Sequence, residues 1–83
     1  MTTKPLVTRM RNPVEGTAGY IYMIDGIVAA RRPEKMDHAL LRRTRTGWAL
    51  VGLSESEPHL RRLRQRRAAA GVLDMVYVQI EEQ

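Results

Sequence analysis

An 83-residue chain holds one small domain with one hydrophobic core, which leaves no room for a cofactor domain beside a substrate domain. Its 43% hydrophobic and 28% charged residues are a globular balance that argues against wholesale disorder, and the absence of cysteine excludes disulfides, cysteine-ligated zinc and thiol catalysis. Fourteen Lys and Arg against nine Asp and Glu give a formal net charge of +5, and all of the basic residues but Lys4 and Lys35 are arginine, the side chain that forks onto phosphate or carboxylate, so the excess points to an anionic partner.

Residues 1–19 read as irregular, because Pro5 and Pro13 interrupt any helix and Gly16 and Gly19 loosen the approach to Tyr20. At most, Leu6 to Met10 forms a short edge strand. No 7–15-residue apolar stretch succeeds Met1–Pro5 as a secretory leader requires, and no apolar run approaches the ~20 residues that span a bilayer. A cytoplasmic chain with no membrane partner is the expectation.

Tyr20 to Arg32 reads as a β-hairpin. Asp25-Gly26 lies between two β-rich runs, and Asp-Gly suits a two-residue type I′ turn because both central positions need φ > 0. That register pairs Ile24 with Ile27, Tyr22 with Ala29 and Tyr20 with Arg31. Tyr20, Tyr22, Ile24, Ile27, Ala29 and Arg31 then share one face. Ile21, Met23, Val28, Ala30 and Arg32 share the other, which is assigned to the core.

Pro33 ends the strand, since it cannot donate to a ladder. His38 to Leu53 reads as a second hairpin turning at Thr44-Arg45-Thr46-Gly47, with Gly47 in the left-handed position. Thr44 then faces Trp48, Arg42 lies near Leu50 and Leu40 near Gly52. Leu41, Ala49, Val51 and Leu53 fall on one face, and Arg42, Trp48 and Leu50 on the other. A helix over residues 34–45 is compatible with the same composition, and the two readings stay open.

Ser54-Glu55-Ser56-Glu57-Pro58 is a helix start: Ser54 with Glu57 matches a capping box, and Ser56 as N-cap places Pro58 in the first turn. The helix is predicted from Glu57 to Ala70, with Gly71 as its stop. Val72 to Glu81 reads as a last strand, in which Val76, Val78 and Ile80 alternate with Met75, Tyr77, Gln79 and Glu81. The fold class is α+β: a small antiparallel or mixed sheet of two hairpins plus a C-terminal strand, one face covered by a single Arg-rich helix.

Two groups of side chains stand out. On the helix, Leu60, Leu63, Ala68 and Ala70 mark the inner stripe, while Arg61, Arg62, Arg64 and Arg66 are spread over the remainder with no acid among them. Glu57 can pair with Arg61 at i,i+4, and Arg67 is expected to tie the helix end to Asp74. Arg42, Arg43 and Arg45 add charge on the second hairpin. The aromatic residues Tyr20, Tyr22, Trp48 and Tyr77 all fall on the face away from the helix if both registers hold. Exposed rings with interleaved arginines stack bases and neutralise phosphates, or form a protein interface, and ordinary packing under another segment or a second copy is the third reading.

Catalysis has no support. Ser54 and Ser56 read as caps, Asp37-His38 has no third ligand at metal spacing, Gly16-Thr17-Ala18-Gly19 is too short for a phosphate loop, and Glu81-Glu82 lie on a terminal tail. No metal or cofactor is expected. In element order, two hairpins then a helix, the chain resembles the arm-binding domains of phage integrases, and in size and organisation it is similar to phage-encoded inhibitors of host machinery, anti-CRISPR proteins among them. The first resemblance implies a small sheet that enters a groove of DNA, and the second a non-enzymatic regulator or inhibitor that docks its basic helix or aromatic face on an acidic protein, which is the favoured expectation. The alternative is a nucleic-acid-binding module with the same arginines on phosphates. A homodimer through the aromatic face is a further expectation.

Overall fold

The computed structural model describes residues 4–14, 16 and 18–83. Its elements are β1 (Val7–Arg11), β2 (Tyr20–Ile24), β3 (Ile27–Arg32), β4 (His38–Thr44), β5 (Gly47–Ser54), α1 (Glu57–Ala69), β6 (Met75–Gln79) and β7 (Glu81–Glu82). The fold class is α+β, as expected. The strands form two sheets, ordered β3-β2-β1-β7 and β5-β4-β6. All pairings are antiparallel except β1 with β7.

Both hairpins form. Asp25 (φ 50°) and Gly26 (φ 85°) take the left-handed values that an Asp-Gly turn supplies. Ile24 faces Ile27, but Tyr22 faces Ala30 and Tyr20 faces Arg32. The skipped residue is Ala29, a bulge that shifts the predicted pairing by one. Residues 38–44 are strand, which settles the open choice against a helix. The second turn is tighter than predicted: Thr44 pairs with Gly47 and Arg43 with Trp48, leaving Arg45-Thr46 as the loop. A second irregularity between Leu40 and Leu41 restores the predicted pairing of Leu40 with Gly52. β1 corresponds to the predicted edge strand but is not at an edge, since β2 and β7 flank it.

The chain passes from one sheet to the other at Ile80. Its N–H donates to Asp37 O (2.8 Å), and its side chain is buried between the sheets. Val7, Tyr22, Ile24, Ala39, Leu41 and Ile80 form that inter-sheet core, with Trp48, Leu50 and Val76 packed on it. α1 covers the opposite face of the three-stranded sheet, where Leu40, Leu60 and Met75 are buried with Leu63, Val72 and Tyr77 against them. The molecule is therefore three layers: sheet, sheet, helix.

This layering corrects the expected faces. Tyr20, Tyr22 and Trp48 belong to the inter-sheet core rather than to a bare surface, and Tyr77 lies on the helix side. The alternation that groups Tyr20 with Tyr22 is right; a second sheet, with no local mark in the sequence, covers that face. Of the residues assigned to the core, Ile21 and Met23 are buried but join neither cluster, Ala30 packs between the sheets, and Val28 (50% exposed) and Arg32 face solvent. Trp48, Leu50 and Leu53 all reach the inter-sheet core. Val51 and Gly52 both turn to the helix, because the irregularity breaks strict alternation in β5.

α1 begins and ends as its punctuation dictates. Ser56 is the N-cap and Pro58 lies in the first turn, where a missing N–H costs nothing. The capping box is not made: Ser54 Oγ accepts from Ser56 N–H (3.0 Å) instead. At the other end Gly71 (φ 93°) allows Gly71 N–H to reach Ala68 O and Val72 N–H to reach Arg67 O, a Schellman stop. Leu60 is the buried residue of the helix and Leu63 is half-buried. Ala68 and Ala70, expected on the inner stripe, are exposed.

Candidate binding surface

The helix and hairpin arginines are placed by short local rules. β4 alternates Leu41 inward, Arg42 toward the helix side and Arg43 toward Trp48, its cross-strand partner. α1 needs only one stripe for Leu60 and Leu63, so the remaining positions face water. Arg42, Arg43 and Arg45 on the hairpin are exposed, as are Arg61, Arg62, Arg64, Arg66 and Arg67 on the helix.

Among the described residues, the ion pairs are Arg9 with Asp37 and Glu82, Lys35 with Glu82, and Arg61 with Glu57 at 3.0 Å. The last is the expected i,i+4 pair. Of the helix and hairpin arginines, only Arg61 therefore has a carboxylate partner among the described residues. The expected Arg67–Asp74 tie is absent; the two side chains line different clefts.

Those clefts are where the two elements meet. In one, of about 210 Å3, Arg42 from β4 and Arg67 from α1 flank Val51 and Val72. In the other, of about 590 Å3, Arg43 and Arg64 are joined by Lys4 and Asp74, with Trp48 and Val76 in the wall. Arg64 lies over the Tyr77 ring, 5.1 Å from its centroid. Arg45 sits in the hairpin turn, and Arg62 and Arg66 extend the positive surface along the helix. Of the sequence-predicted arginines, Arg42 thus lines one cleft and Arg43 and Arg64 the other, while Arg45, Arg61, Arg62 and Arg66 line neither.

The predicted rings do not form a bare face. Tyr22 is 1% exposed, donates from its hydroxyl to Glu34 O (2.7 Å) and accepts from Met36 N–H (2.6 Å). Burial pushes its pKa up. Tyr20 is half-buried and carries the Arg9 guanidinium over its ring at 5.8 Å. Trp48 is half-buried and lines the larger cleft as well as a second one, of about 420 Å3, between the two hairpins. The face expected to offer Tyr20, Tyr22 and Trp48 as a stacking platform or homodimer surface is instead occupied by another sheet.

Arg9 escaped the sequence reading. It is 4% exposed, and its guanidinium donates to Met36 O, to Asp37 Oδ1 (2.8 Å) and to Glu82 Oε1 (3.0 Å). Burial opposes its charge, but the two carboxylate hydrogen bonds outweigh that and raise its pKa. The hydrogen bond from Arg9 holds both Asp37 and Glu82 below the usual carboxylate range. Glu82 is thus a strand residue with a structural partner, not a loose tail. The faint signal was alternation alone, which puts Arg9 on the same face of β1 as Val7.

His38 is half-buried in β4 and His59 is exposed on α1. Among the described residues, no group of three His, Asp or Glu side chains could hold a metal ion, and no helix is long and apolar enough to cross a membrane. No protein-family model matches the chain, and no curated protein or solved structure is significantly similar to it.

Proposed function

We propose that the protein is a non-enzymatic interaction module that docks α1 and the tip of the β4–β5 hairpin on an acidic protein surface, regulating or inhibiting that partner by occupying it. The observation that carries this is the unpaired set Arg42, Arg43, Arg45, Arg62, Arg64, Arg66 and Arg67, all exposed and without a carboxylate among the described residues. Like charges at i,i+4, such as Arg62 and Arg66, destabilise a helix, so an external anion is the natural complement. Tyr22 is buried and Tyr20 half-buried between the sheets, which leaves fewer rings for stacking successive bases and favours protein over single-stranded nucleic acid.

The test is binding of the intact protein to poly-glutamate, duplex DNA and single-stranded RNA at about 50 and 200 mM salt. Poly-glutamate is expected to bind, and Arg43→Glu with Arg66→Glu to abolish it. Tighter binding to either nucleic acid, with log K falling at a slope of about −0.9 per neutralised phosphate, would replace this reading with the nucleic-acid one.

A further inference from the structure

The larger cleft has a lining that a flat polyanion surface does not need. Its volume, about 590 Å3, falls in the roughly 300–1,000 Å3 range of small-molecule sites. Lys4, Arg43 and Arg64 supply three cations, yet Asp74 adds a carboxylate and Trp48 an indole, with aliphatic wall from Val76. An inorganic anion would use only the cations. A purely apolar ligand would use only the wall.

The fold sets the backbone positions from which these exposed groups reach the cleft. The Arg43 backbone is fixed by its ladder position opposite Trp48 and by its N–H donating to Asp74 O (3.0 Å), so the Arg43 and Trp48 side chains rise from paired positions on one sheet face. Arg64 is drawn to the cleft by the Tyr77 ring beneath its guanidinium. Asp74 comes after the helix stop in a left-handed conformation (φ 59°) and lines the same cavity.

We propose that this cleft binds a nucleotide. A phosphate dianion at one end meets Arg43, Arg64 and Lys4, whose planar forks and ammonium suit phosphate oxygens. The flat heteroaromatic ring lies on Trp48 and the aliphatic wall. Asp74 accepts from an exocyclic amine or a ribose hydroxyl. Each chemical group in the lining then has a counterpart in one ligand. The inference does not depend on the protein-docking reading, although Arg43 and Arg64 belong to both surfaces.

Trp48 is the sole tryptophan, so its fluorescence reports on the cleft directly. The intact protein is titrated with AMP, and in parallel with adenosine and with inorganic phosphate. A saturable emission change with AMP is expected, at least about tenfold weaker with either fragment. Arg43→Ala and Arg64→Ala should each weaken AMP about tenfold, and Arg62→Ala with Arg66→Ala, outside the cleft, should leave it unchanged. Both cleft arginines are exposed, and circular dichroism is the check that the variants fold. Arg43→Lys, which keeps charge but loses the fork, should give an intermediate loss. The proposal is overturned by no saturable change up to millimolar AMP, by inorganic phosphate binding as well as AMP, or by an equal loss in the Arg62/Arg66 variant, which would mean diffuse attraction.

Discussion

Tyr22 fastens a loop with one oxygen. Its hydroxyl donates to Glu34 O and accepts from Met36 N–H, pinning residues 34–36 as the chain crosses from β3 to β4. Tyr22→Phe leaves both backbone groups without that partner and should cost about 2 kcal/mol in denaturant unfolding, since orphaning a buried polar group forfeits its desolvation. Arg9 does comparable work at the Ile80 crossing, where it joins β1, the start of β4 and β7. The two sides of this network are unequal. The Asp37 and Glu82 side chains are 53% and 64% exposed and rehydrate easily, whereas Arg9 at 5% cannot. Arg9→Met, which keeps the stem volume, should therefore destabilise less than Asp37→Ala with Glu82→Ala, which leaves a guanidinium buried and unpaired. The network also sets a pH dependence. Asp37 and Glu82 have folded pKa values below their unfolded ones, so their contribution is complete above the ordinary carboxylate range of about 4 and is lost as pH falls through the depressed values. Thermal scans from about pH 6 to pH 2 should show a shallower acid loss for Arg9→Met than for the native chain. Equal slopes would mean that the pairs carry no net stability.

At the scale of elements, α1 stays on its sheet through a narrow contact. Leu60 is buried, Leu63 is half-buried, and Gly52 on β5 lies directly beneath them. A Cβ built on Gly52 would sit 2.5 Å from Leu63 Cδ2 and 3.5 Å from Leu60 Cδ2. The terminal methyl of Leu63 can swing aside, so Gly52→Ala should cost about 1 kcal/mol or less. Gly52→Val adds branched bulk against both leucines and should cost more than about 2 kcal/mol, with helical ellipticity lost before the sheet signal. An unchanged midpoint for the valine variant would refute the close seating of the helix. The elements themselves were legible where punctuation is local. Asp25-Gly26 marked a turn that only left-handed residues make, and Pro58 and Gly71 bracketed the helix to within a residue. Register was less legible. The extra residue at Ala29 and the break near Leu41 shift pairing by one, and a bulge has no composition of its own when its neighbours are all small or apolar.

The largest departure lies in how the layers stack. Strand alternation correctly separated Tyr20 and Tyr22 from Ile21 and Met23, but alternation says which residues share a face and nothing about what lies on it. Two sheets meeting through Ile80 depend on pairings between β1 and β7 that are far apart in the chain. Such contacts leave no short-range pattern, and Arg9 was missed for the same reason, since Asp37 and Glu82 are remote from it in sequence. The charge was legible because it needs no partner to be counted. It also has a consequence for the molecule as a whole. Self-repulsion among the unpaired arginines opposes folding, and the sequence retains them where glutamates would stabilise the helix. Arg62→Glu places an acid four residues before Arg66, in the favourable orientation, and should raise the unfolding free energy by about 0.3–0.5 kcal/mol at low salt, with the gain shrinking as salt is added. The same substitution should weaken poly-glutamate binding. A basic helix kept only as a solvated surface would show the stability gain without a binding loss, so the two measurements on one variant separate a surface selected for contact from one that is merely charged.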